Sequence, residues 1–535
     1  MNTNNVPKDG LAGFKENFRA DFLSGFLVFL IALPLCIGIS IGSGFGPLGG
    51  LFTAIIGGVV VTFLAGSPLA IKGPAAGLMP IAFACVEAFG GFPHGYPFAL
   101  AVVVAAGVLQ ILFGLLRAGT LSDFFSTAPV HGMLAAIGIL IVSKEFHVAV
   151  GVKATATSAL GRIAEIPHSV LHLNPAIAMI GGISLLILVV LPRIKLRLIR
   201  KIPGPLLVLA VAVPLGLLLD LDHAHTYTFA GHEYELGPQH LVHLDKSMLD
   251  SVTFPDFSRL FTLTSLEYIL LFSLIGSIES IASSKAIDTL DPYKRKSDFN
   301  RDLFAIGVGN TAAGLVGGLP MISEIVRSSA NVNSGARTRW SNFWHGVFLL
   351  FVIALIPWTI AYIPRAALGA MLVFTGLRLA APSVLVHMAK IGTEQLFLFI
   401  VTITLTLVED LLVGIMGGIF AKLIIQLING APLSSLFKAT AVAHDEGPDT
   451  VRLAVTRAAI FSNLFGLKRH IARVDPAKHL TLDFSATRLV DHTVMEYLHG
   501  LEQDLARDNR RLTVTGLERH VPLSAHKFAA RKRAA

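Results

Sequence analysis

Charge is scarce in this chain of 535 residues: only 15% of the residues are Asp, Glu, Lys or Arg. An ordinary soluble protein carries about 25%. Hydrophobic residues make up 53% of the chain, and the mean hydropathy is +0.68. This composition excludes a soluble enzyme and a disordered protein, and it indicates a polytopic membrane protein.

Cysteine is also scarce. The only two, Cys36 and Cys85, lie in apolar stretches, which excludes a secreted disulfide scaffold and a thiolate zinc framework. The sequence also lacks a nucleotide-binding loop, a metal-ligand cluster and a nucleophile–base pair in a credible setting. We therefore expect no enzymatic activity, no catalytic residue, no structural metal and no cofactor.

Long apolar runs dominate the first 430 residues. A membrane helix needs about 20 mostly apolar residues. Two further apolar stretches, 74–90 and 321–333, are short, and each follows Gly and Pro residues. Together with twelve longer candidates they predict about fourteen membrane segments. The longer candidates are 22–42, 49–66, 98–118, 127–146, 174–192, 203–220, 263–287, 302–318, 340–358, 363–380, 393–409 and 411–430.

The two short segments stand third and tenth, at the same place in each group of seven. Such a pair is typical of an inverted-repeat transporter whose site lies at mid-membrane. The N-terminus of each half-helix carries roughly +0.5 of an elementary charge and free N–H groups, so it can bind an anion. We expect Gly73 and Pro74 to start one half-helix and Pro320 to precede the other. The alternative is that these small residues serve helix packing alone.

Basic residues predict the orientation in the membrane. They cluster near the N-terminus, in the link at 193–201, after the eighth segment and after the tenth. All these places fall on one side, which the excess of Lys and Arg marks as cytoplasmic. The net charge of +8 therefore indicates membrane topology rather than nucleic acid as a partner.

The link 221–262 falls on the opposite side of the predicted membrane and is rich in histidine. These histidines could bind a metal, but no spacing among them is specific for one. We interpret them as exposed loop residues. They are His223, His225, His232, His240 and His243.

The composition changes after residue 433. Stretches 453–455, 479–483 and 511–515 predict strands, and 494–505 predicts an amphipathic helix. We therefore divide the chain into an N-terminal cytoplasmic segment (1–21), a first transmembrane repeat (22–220), an extracytoplasmic loop (221–262), a second repeat (263–433) and a cytoplasmic α/β domain (434–535).

Several motifs resemble the sulfate permease (SulP) family of anion transporters, and the C-terminal domain resembles the STAS domain of that family. In the membrane part these motifs are Ala-Leu-Pro at 32–34, Lys-Gly-Pro-Ala-Ala-Gly at 72–77, Gly-Gly-Leu-Pro at 317–320 and Arg-Ser-Ser-Ala-Asn at 327–331, with Gly335 and Thr338. In the C-terminal domain they are Leu-Asp-Phe-Ser at 482–485 and Leu-Val-Asp-His-Thr at 489–493.

The resemblance implies fourteen membrane segments in two inverted halves, a core and a gate domain, and commonly a homodimer in the bacterial inner membrane with both termini cytoplasmic. It implies secondary active transport of a small inorganic anion by alternating access. The variant at 317–327 is similar to a bacterial branch often linked with carbonic anhydrase, which favours bicarbonate and makes that enzyme a candidate partner. The alternatives are a proton-coupled sulfate or dicarboxylate permease, an anion exchanger and a non-transporting anion sensor.

The resemblance also implies an anion site between the third and tenth segments. Arg327 would pair with the anion there, or alternatively form a salt bridge with Glu324. Lys72 and Glu324 depart from the family pattern, and they could pair with each other. The implied anion-binding residues are Leu35, Lys72, Gly73, Pro74, Ala75, Ala76, Ser323, Glu324, Val326, Arg327 and Ser328.

Glu279 in the eighth segment is implied to couple transport to a cation. A carboxyl group buried in the membrane could carry a proton or could ligate Na⁺, and Ser283 would face the same way one turn further on. The alternative is an ion pair with Lys285, which a separation of six residues makes a poor partner. In the STAS-like domain, His492 stands where signalling relatives have a phosphorylated Ser after the Asp, so we expect a role in assembly, trafficking or regulation.

Overall fold

The computed structural model describes residues 6–119, 127–156, 158–193, 203–243, 248, 250–409, 411–446, 449–507 and 510–534. Nearly all of the predicted basic link at 193–201 lies outside these described residues. The chain forms two compact units, one of Met1–Gly119 with Ile137–Leu379 and the other of Thr120–Ala136 with Ala380–Ala535.

The described part of the first 430 residues is almost entirely helical. Seven of its helices are long and apolar enough to cross a membrane, and five apolar stretches of helix are shorter. The helices are α1 (Gly10–Gly42), α2 (Gly49–Val59), α3 (Val61–Leu64), α4 (Met79–Ala88), α5 (Tyr96–Leu115), α6 (Thr127–Ala149), α7 (Ala159–Leu171), α8 (Pro175–Val190), α9 (Gly204–Leu218), α10 (Leu263–Leu290), α11 (Phe299–Leu315), α12 (Ile325–Asn333), α13 (Trp340–Leu355), α14 (Trp358–Ala361), α15 (Arg365–Leu379), α16 (Pro382–Ile391), α17 (Thr393–Val408) and α18 (Leu411–Ile428).

Each of the fourteen predicted membrane segments has a helical counterpart, with α2 and α3 together forming the second. The short third and tenth segments correspond to α4 and α12. The helices α7, α14 and α16 lie between the predicted segments or at their edges. The prediction of a polytopic helical membrane fold is therefore confirmed.

The third and tenth segments differ from the prediction at their N-terminal ends. Residues Ile71–Pro74 form strand β1, and residues Met321–Glu324 form strand β4. The helices α4 and α12 begin only at Met79 and Ile325, so Gly73 and Pro74 do not start a half-helix. The two strands pair antiparallel with each other. Buried backbone groups need partners, and this pairing supplies them where the helices are broken.

Glycines allow α5 and α11 to approach closely. A methyl group added at Gly107 would lie 2.6 Å from the backbone nitrogen of Thr311, and one added at Gly114 would lie 2.6 Å from that of Phe304. Small residues permit this backbone-to-backbone packing between membrane helices. Helix α11 is also held beside the two strands, because the Asn310 side chain on α11 bonds the backbone of Met321.

The loop 221–262 contains a hairpin that the sequence did not predict. Strands β2 (His225–Phe229) and β3 (His232–Leu236) pair antiparallel. Of the five loop histidines, His223, His232 and His243 are exposed, and the other two are half-buried.

The C-terminal part forms a mixed sheet with helices, as predicted. The described elements are β5 (Thr440–Asp445), β6 (Thr450–Ala459), α19 (Leu464–Ala472), β7 (His479–Val490), α20 (His492–Arg507), β8 (Leu512–Thr515), β9 (His520–Pro522) and β10 (Arg531–Arg533). Strand β7 is central, because it pairs parallel with β6 and β8 and antiparallel with β10. The two parallel pairs are connected through α19 and α20, which pack over an apolar core that includes Leu482, Phe484 and Val494.

Candidate functional site

The crossing of β1 and β4 brings together most of the predicted anion-binding residues. In the antiparallel register, Lys72 faces Ser323, and Gly73 faces Ile322. The side chains of Lys72 and Ser323 are fully buried. Ser328 is also buried, and its hydroxyl accepts a hydrogen bond of 2.8 Å from the backbone nitrogen of Ile71.

Arg327 lies on the first turn of α12 and reaches back to this crossing. Its side chain is only 1% exposed. Nη2 donates a hydrogen bond of 3.3 Å to the carbonyl oxygen of Pro74, whereas Nε and Nη1 have no hydrogen-bond partner among the described residues. Among the described residues, the salt bridge with Glu324 that the sequence allowed is not formed, and Oε1 of Glu324 is likewise buried without a hydrogen-bond partner. A buried guanidinium with two unused donor atoms is suited to bind an oxyanion.

Gly73 makes room for that guanidinium. A Cβ atom at this position would lie 2.5 Å from Nη1 of Arg327. The absence of a side chain, rather than a helix start, therefore explains the glycine in the Lys-Gly-Pro motif.

Lys72 does not pair with Glu324, contrary to the pairing that the sequence allowed. Its ammonium lies 2.7 Å and 2.8 Å from the two carboxylate oxygens of Asp302 on α11. It also donates to the hydroxyl oxygens of Ser67, at 2.8 Å, and Ser323, at 2.5 Å. Both Lys72 and Asp302 are buried, so the two charges compensate each other inside the protein.

Asp302 was missed by the sequence reasoning, although a signal was present. It is the first residue of the predicted span 302–318, and an ionisable residue in a membrane segment is a functional candidate by default. Its carboxylate also accepts hydrogen bonds from Ser67 and, at 3.0 Å, from the hydroxyl of Ser284 on α10. His345 on α13 is fully buried, and neither ring nitrogen has a partner among the described residues.

Glu279 lies on α10 against the turn that follows β1. A Cβ atom at Gly77 would lie 2.3 Å from its Oε1, so the carboxyl group contacts the backbone of this turn. Glu279 is 8% exposed, and Oε1 has no hydrogen-bond partner among the described residues. Ser283 is buried one turn away, but no hydrogen bond between these two described side chains is formed.

The remaining predicted residues divide into two groups. Ala75 is buried and Ala76 half-buried in the turn after β1. Leu35 packs against the hydrophobic core, and Val326 is 43% exposed. The structure gives neither of these two apolar side chains a polar role.

The formal charges of the side chains around the crossing do not balance. Lys72 and Arg327 supply two positive charges, and Asp302, Glu279 and Glu324 supply three negative charges when all are ionised. The net charge of −1 would oppose an anion. Binding a proton or another cation at Glu279 or Glu324 removes that opposition.

A basic cavity lies between α6, α7 and α15. Its volume is about 600 Å³, and it is lined by Lys144, Lys153, Arg162 and Arg365 with no acidic residue among the described lining. A smaller cavity of about 260 Å³ shares Lys144 and Arg365 with it and extends between α1 and α4. We call the larger cavity the basic vestibule.

The described residues contain one exposed group that could ligate a metal, formed by Asp220, Asp222 and His223. All three side chains are exposed to solvent, and Asp220 and His223 pair directly at 2.8 Å.

Comparison with known proteins agrees with the fold. The chain is 25% identical over 521 residues to the putative sulfate transporter YvdB of Bacillus subtilis, covering 96% of this chain and 94% of that protein. The transmembrane domain of a cyanobacterial bicarbonate transporter, BicA, superposes with a TM-score of 0.62 at 22% identity, covering 74% of this chain and 97% of that structure. SLC26A9 superposes with a TM-score of 0.68 at 13% identity, covering 94% of this chain and 85% of that structure.

The match to a family model extends through nearly all of the helical part. The model of the sulfate permease family matches residues 18–402, a range that contains β1, β4, Arg327 and Glu279. The protein is therefore a multi-pass membrane protein of a transporter family. This chain belongs to the sulfate permease family.

Proposed function

We propose that the protein is a secondary active transporter of a small inorganic anion, with bicarbonate as the first candidate. The observation that carries the proposal is the guanidinium of Arg327, which is buried at the strand crossing with Nε and Nη1 unpartnered among the described residues. A bound oxyanion would supply acceptors for one of these atoms and for the second N–H of Nη2, because Nε and Nη1 lie on different edges of the guanidinium. A guanidinium fork matches a planar, multi-oxygen anion such as bicarbonate particularly well.

The names of similar proteins support two substrates. BicA is described as a bicarbonate transporter, whereas YvdB is described as a putative sulfate transporter. Sulfate, a dicarboxylate or an exchanged anion therefore remain the competing substrates. At the crossing of β1 and β4, Arg327 is the one described basic side chain with donor atoms left unpartnered, and its single charge favours a singly charged anion over a doubly charged one.

We further propose that Glu279 couples anion transport to a cation, a proton or Na⁺. The carboxyl group contacts the turn at Gly77, directly after the β1 strand of the anion site. Neutralising it reduces the negative charge beside the anion, so that the two ions would bind together and move together in an alternating-access cycle.

The location and assembly are part of the proposal. The distribution of Lys and Arg supports an inner-membrane protein with both termini in the cytoplasm. We propose that residues 434–535 form a cytoplasmic domain, that the protein is a homodimer, and that carbonic anhydrase is a partner of the bicarbonate branch.

Uptake into proteoliposomes tests the substrate and the coupling. Labelled bicarbonate and labelled sulfate would be supplied separately, with and without an inward Na⁺ gradient and with and without a pH gradient. We expect bicarbonate uptake that a cation gradient accelerates and that Glu279→Gln uncouples from the gradient. Uptake of sulfate alone would replace the substrate, and anion binding without any flux would indicate a sensor.

Arg327 provides a direct test of the anion site. Arg327→Gln removes the unpartnered donors, and we expect anion affinity to fall at least about tenfold, the effect of losing one charged hydrogen bond. Arg301→Gln is the matched control, because Arg301 is exposed and donates to the backbone carbonyl of Leu64. Equal anion affinity in both variants would contradict the assignment of Arg327.

A further inference from the structure

The ammonium of Lys72 is surrounded by oxygen atoms inside the membrane part of the protein. Its four close contacts are both carboxylate oxygens of Asp302 and the hydroxyl oxygens of Ser67 and Ser323, all between 2.5 Å and 2.8 Å. The hydroxyl of Ser284 completes the group by bonding Asp302 and Ser323. We call these oxygen atoms the Asp302 cage.

The donor set of this cage is one that metal cations also use. Carboxylate and hydroxyl oxygens are the ligands that hard cations prefer. One carboxylate with three neutral hydroxyl groups gives the cage a charge of −1, which a single monovalent cation neutralises. Lys72 supplies that cation on a side chain, because its ammonium offers three donors and one positive charge.

The cage and the anion site share the same two strands. Lys72 immediately precedes Gly73, which borders the guanidinium of Arg327. Ser323 faces Lys72 in the strand register and immediately precedes Glu324. Asp302 further accepts hydrogen bonds from the backbone nitrogens of Gly66 and Ser67, just before β1. A cation in the cage therefore ties β1, β4 and α11 together.

We propose that the Lys72 ammonium is a resident cation, which permanently occupies a Na⁺-type site and holds the anion site in its binding shape without any metal ion at that place. This inference rests on the proposed function only where anion binding is the readout. It is distinct from coupling at Glu279, which lies on α10 and is not a member of the cage.

The proposal predicts that removing the ammonium creates a Na⁺ site. Lys72→Ala empties the place of the ammonium and leaves the carboxylate of Asp302 uncompensated, a state that is costly inside a protein. We expect Na⁺ to restore this variant. Its thermal unfolding temperature would rise with NaCl but not with choline chloride at equal ionic strength, and its anion affinity would be at least tenfold higher in Na⁺ than in choline.

Two variants and the wild-type protein serve as controls. If Glu279 binds Na⁺, the unfolding temperature of the wild type also rises in NaCl. The decisive quantity is therefore the additional rise that Lys72→Ala shows over the wild type. The double variant Lys72→Ala/Asp302→Asn neutralises the cage and should lose this additional response. Ser67→Ala removes one oxygen and keeps the ammonium, so its response should equal that of the wild type.

The unfolding experiment decides the inference even if transport fails. Thermal stabilisation by Na⁺ needs neither anion nor flux, so a wild type without uptake would overturn the proposed function and leave the cage testable. If Lys72→Ala is purified and responds to Na⁺ no more than the wild type, the inference is wrong. It is also wrong if this variant aggregates equally in Na⁺ and in choline, because Na⁺ then fails to replace the ammonium.

Discussion

Gly73 shows how much the proposed anion site depends on a single absent side chain. The residue lies in a strand, where any residue would be sterically allowed, yet an added Cβ would lie 2.5 Å from Nη1 of Arg327. No real Cβ contact is that short, so the guanidinium would have to move. The glycine therefore preserves the position of the charge.

We predict that Gly73→Ala weakens anion binding about tenfold or more, because it displaces Arg327 from the carbonyl of Pro74. Titration of the purified protein with bicarbonate, followed by calorimetry, measures the effect. Gly182→Ala on α8 is the matched control, since an added Cβ there has no atom within 4 Å. Its affinity should be unchanged, and equal loss in both variants would contradict the prediction.

At the scale of elements, the two strands are stable in the membrane part because side chains of neighbouring helices supply hydrogen-bond partners for their backbone groups. Asn310 on α11 accepts from the backbone nitrogen of Met321 at 2.6 Å and donates to its carbonyl at 3.3 Å. Asn342 on α13 accepts from the backbone nitrogen of Lys72 at 3.3 Å. Asn331 on α12 donates to the carbonyl of Leu69 at 2.9 Å. Three asparagine amides therefore hold the strand pair and the turn before it.

We predict that Asn310→Ala destabilises the protein by about 1–3 kcal/mol, the usual cost of leaving buried backbone groups unsatisfied. The unfolding temperature in detergent should fall by a few degrees, and uptake should fall with it. Thr311→Ala is the control from the next position, because the one hydrogen bond of its hydroxyl to the described residues goes to the carbonyl of Gly307 within the same helix. A loss of stability in Thr311→Ala as large as in Asn310→Ala would count against this explanation.

The C-terminal sheet has its own electrostatic support, on β7. Burial alone would raise the pKa of Asp483, but hydrogen bonds from Ser485 and Arg452 outweigh it and lower the pKa to about 2. The guanidinium of Arg452, on β6, contacts the carboxylate through both Nε, at 3.1 Å, and Nη2. The ionised carboxylate therefore stabilises the folded domain. This contribution is complete above the unfolded-state pKa near 4 and is lost as the pH falls toward 2.

We predict that Asp483→Asn increases amide hydrogen exchange in peptides from β6 and β7 several-fold at neutral pH. The difference from the wild type should shrink as the labelling pH falls from 4 toward 2, because protonation of Asp483 in the unfolded state then removes the stability that the ionised carboxylate contributes. Asp445→Asn is the control, since its carboxylate pairs with Lys478 at 2.8 Å but is 74% exposed. Such exposed pairs contribute little. A difference between Asp483→Asn and wild type that persists unchanged at low pH would refute the electrostatic cause.

At the scale of the whole molecule, positive charge is concentrated in the basic vestibule. Four basic side chains line this cavity, and Nε of Arg162 is buried without a hydrogen-bond partner among the described residues. A cavity with walls of one charge raises the local concentration of the opposite ion. We therefore propose that the vestibule attracts anions; the smaller cavity between α1 and α4 lacks this charge bias, because Glu87 and Glu145 line it beside Lys144 and Arg365.

We predict that Arg162→Gln combined with Arg365→Gln lowers anion uptake about threefold to tenfold at low substrate concentration and leaves the maximal rate unchanged. Added salt should reduce the difference, because it screens the lost charges. Initial uptake rates over a range of anion concentrations measure both parameters. Removing two exposed charges from α1, with Lys15→Gln and Arg19→Gln, is the control. A fall in the maximal rate alone would show that the vestibule does not act on anion entry.

Whether a residue of the site could be predicted depended on how far apart in the sequence the residues that contact each other lie. Arg327 was identified because it is an ionisable residue in a membrane segment within a family motif. Asp302 carried the same kind of local signal at the start of a predicted span and was overlooked. The partner of Lys72 could not be read from the sequence, because 230 positions separate it from Asp302.

The sequence by itself determined the membrane class of the protein, the order of its fourteen membrane segments, and three strands and one helix of the C-terminal domain. These features follow from hydrophobicity and its period, which are local properties of the chain. Only the tertiary structure decided that the broken third and tenth segments begin as paired strands, that Lys72 bonds Asp302 instead of Glu324, and that Arg327 keeps two donor atoms unpartnered. The reason is physical: buried polar groups must find partners in three dimensions, and those partners come from distant parts of the chain.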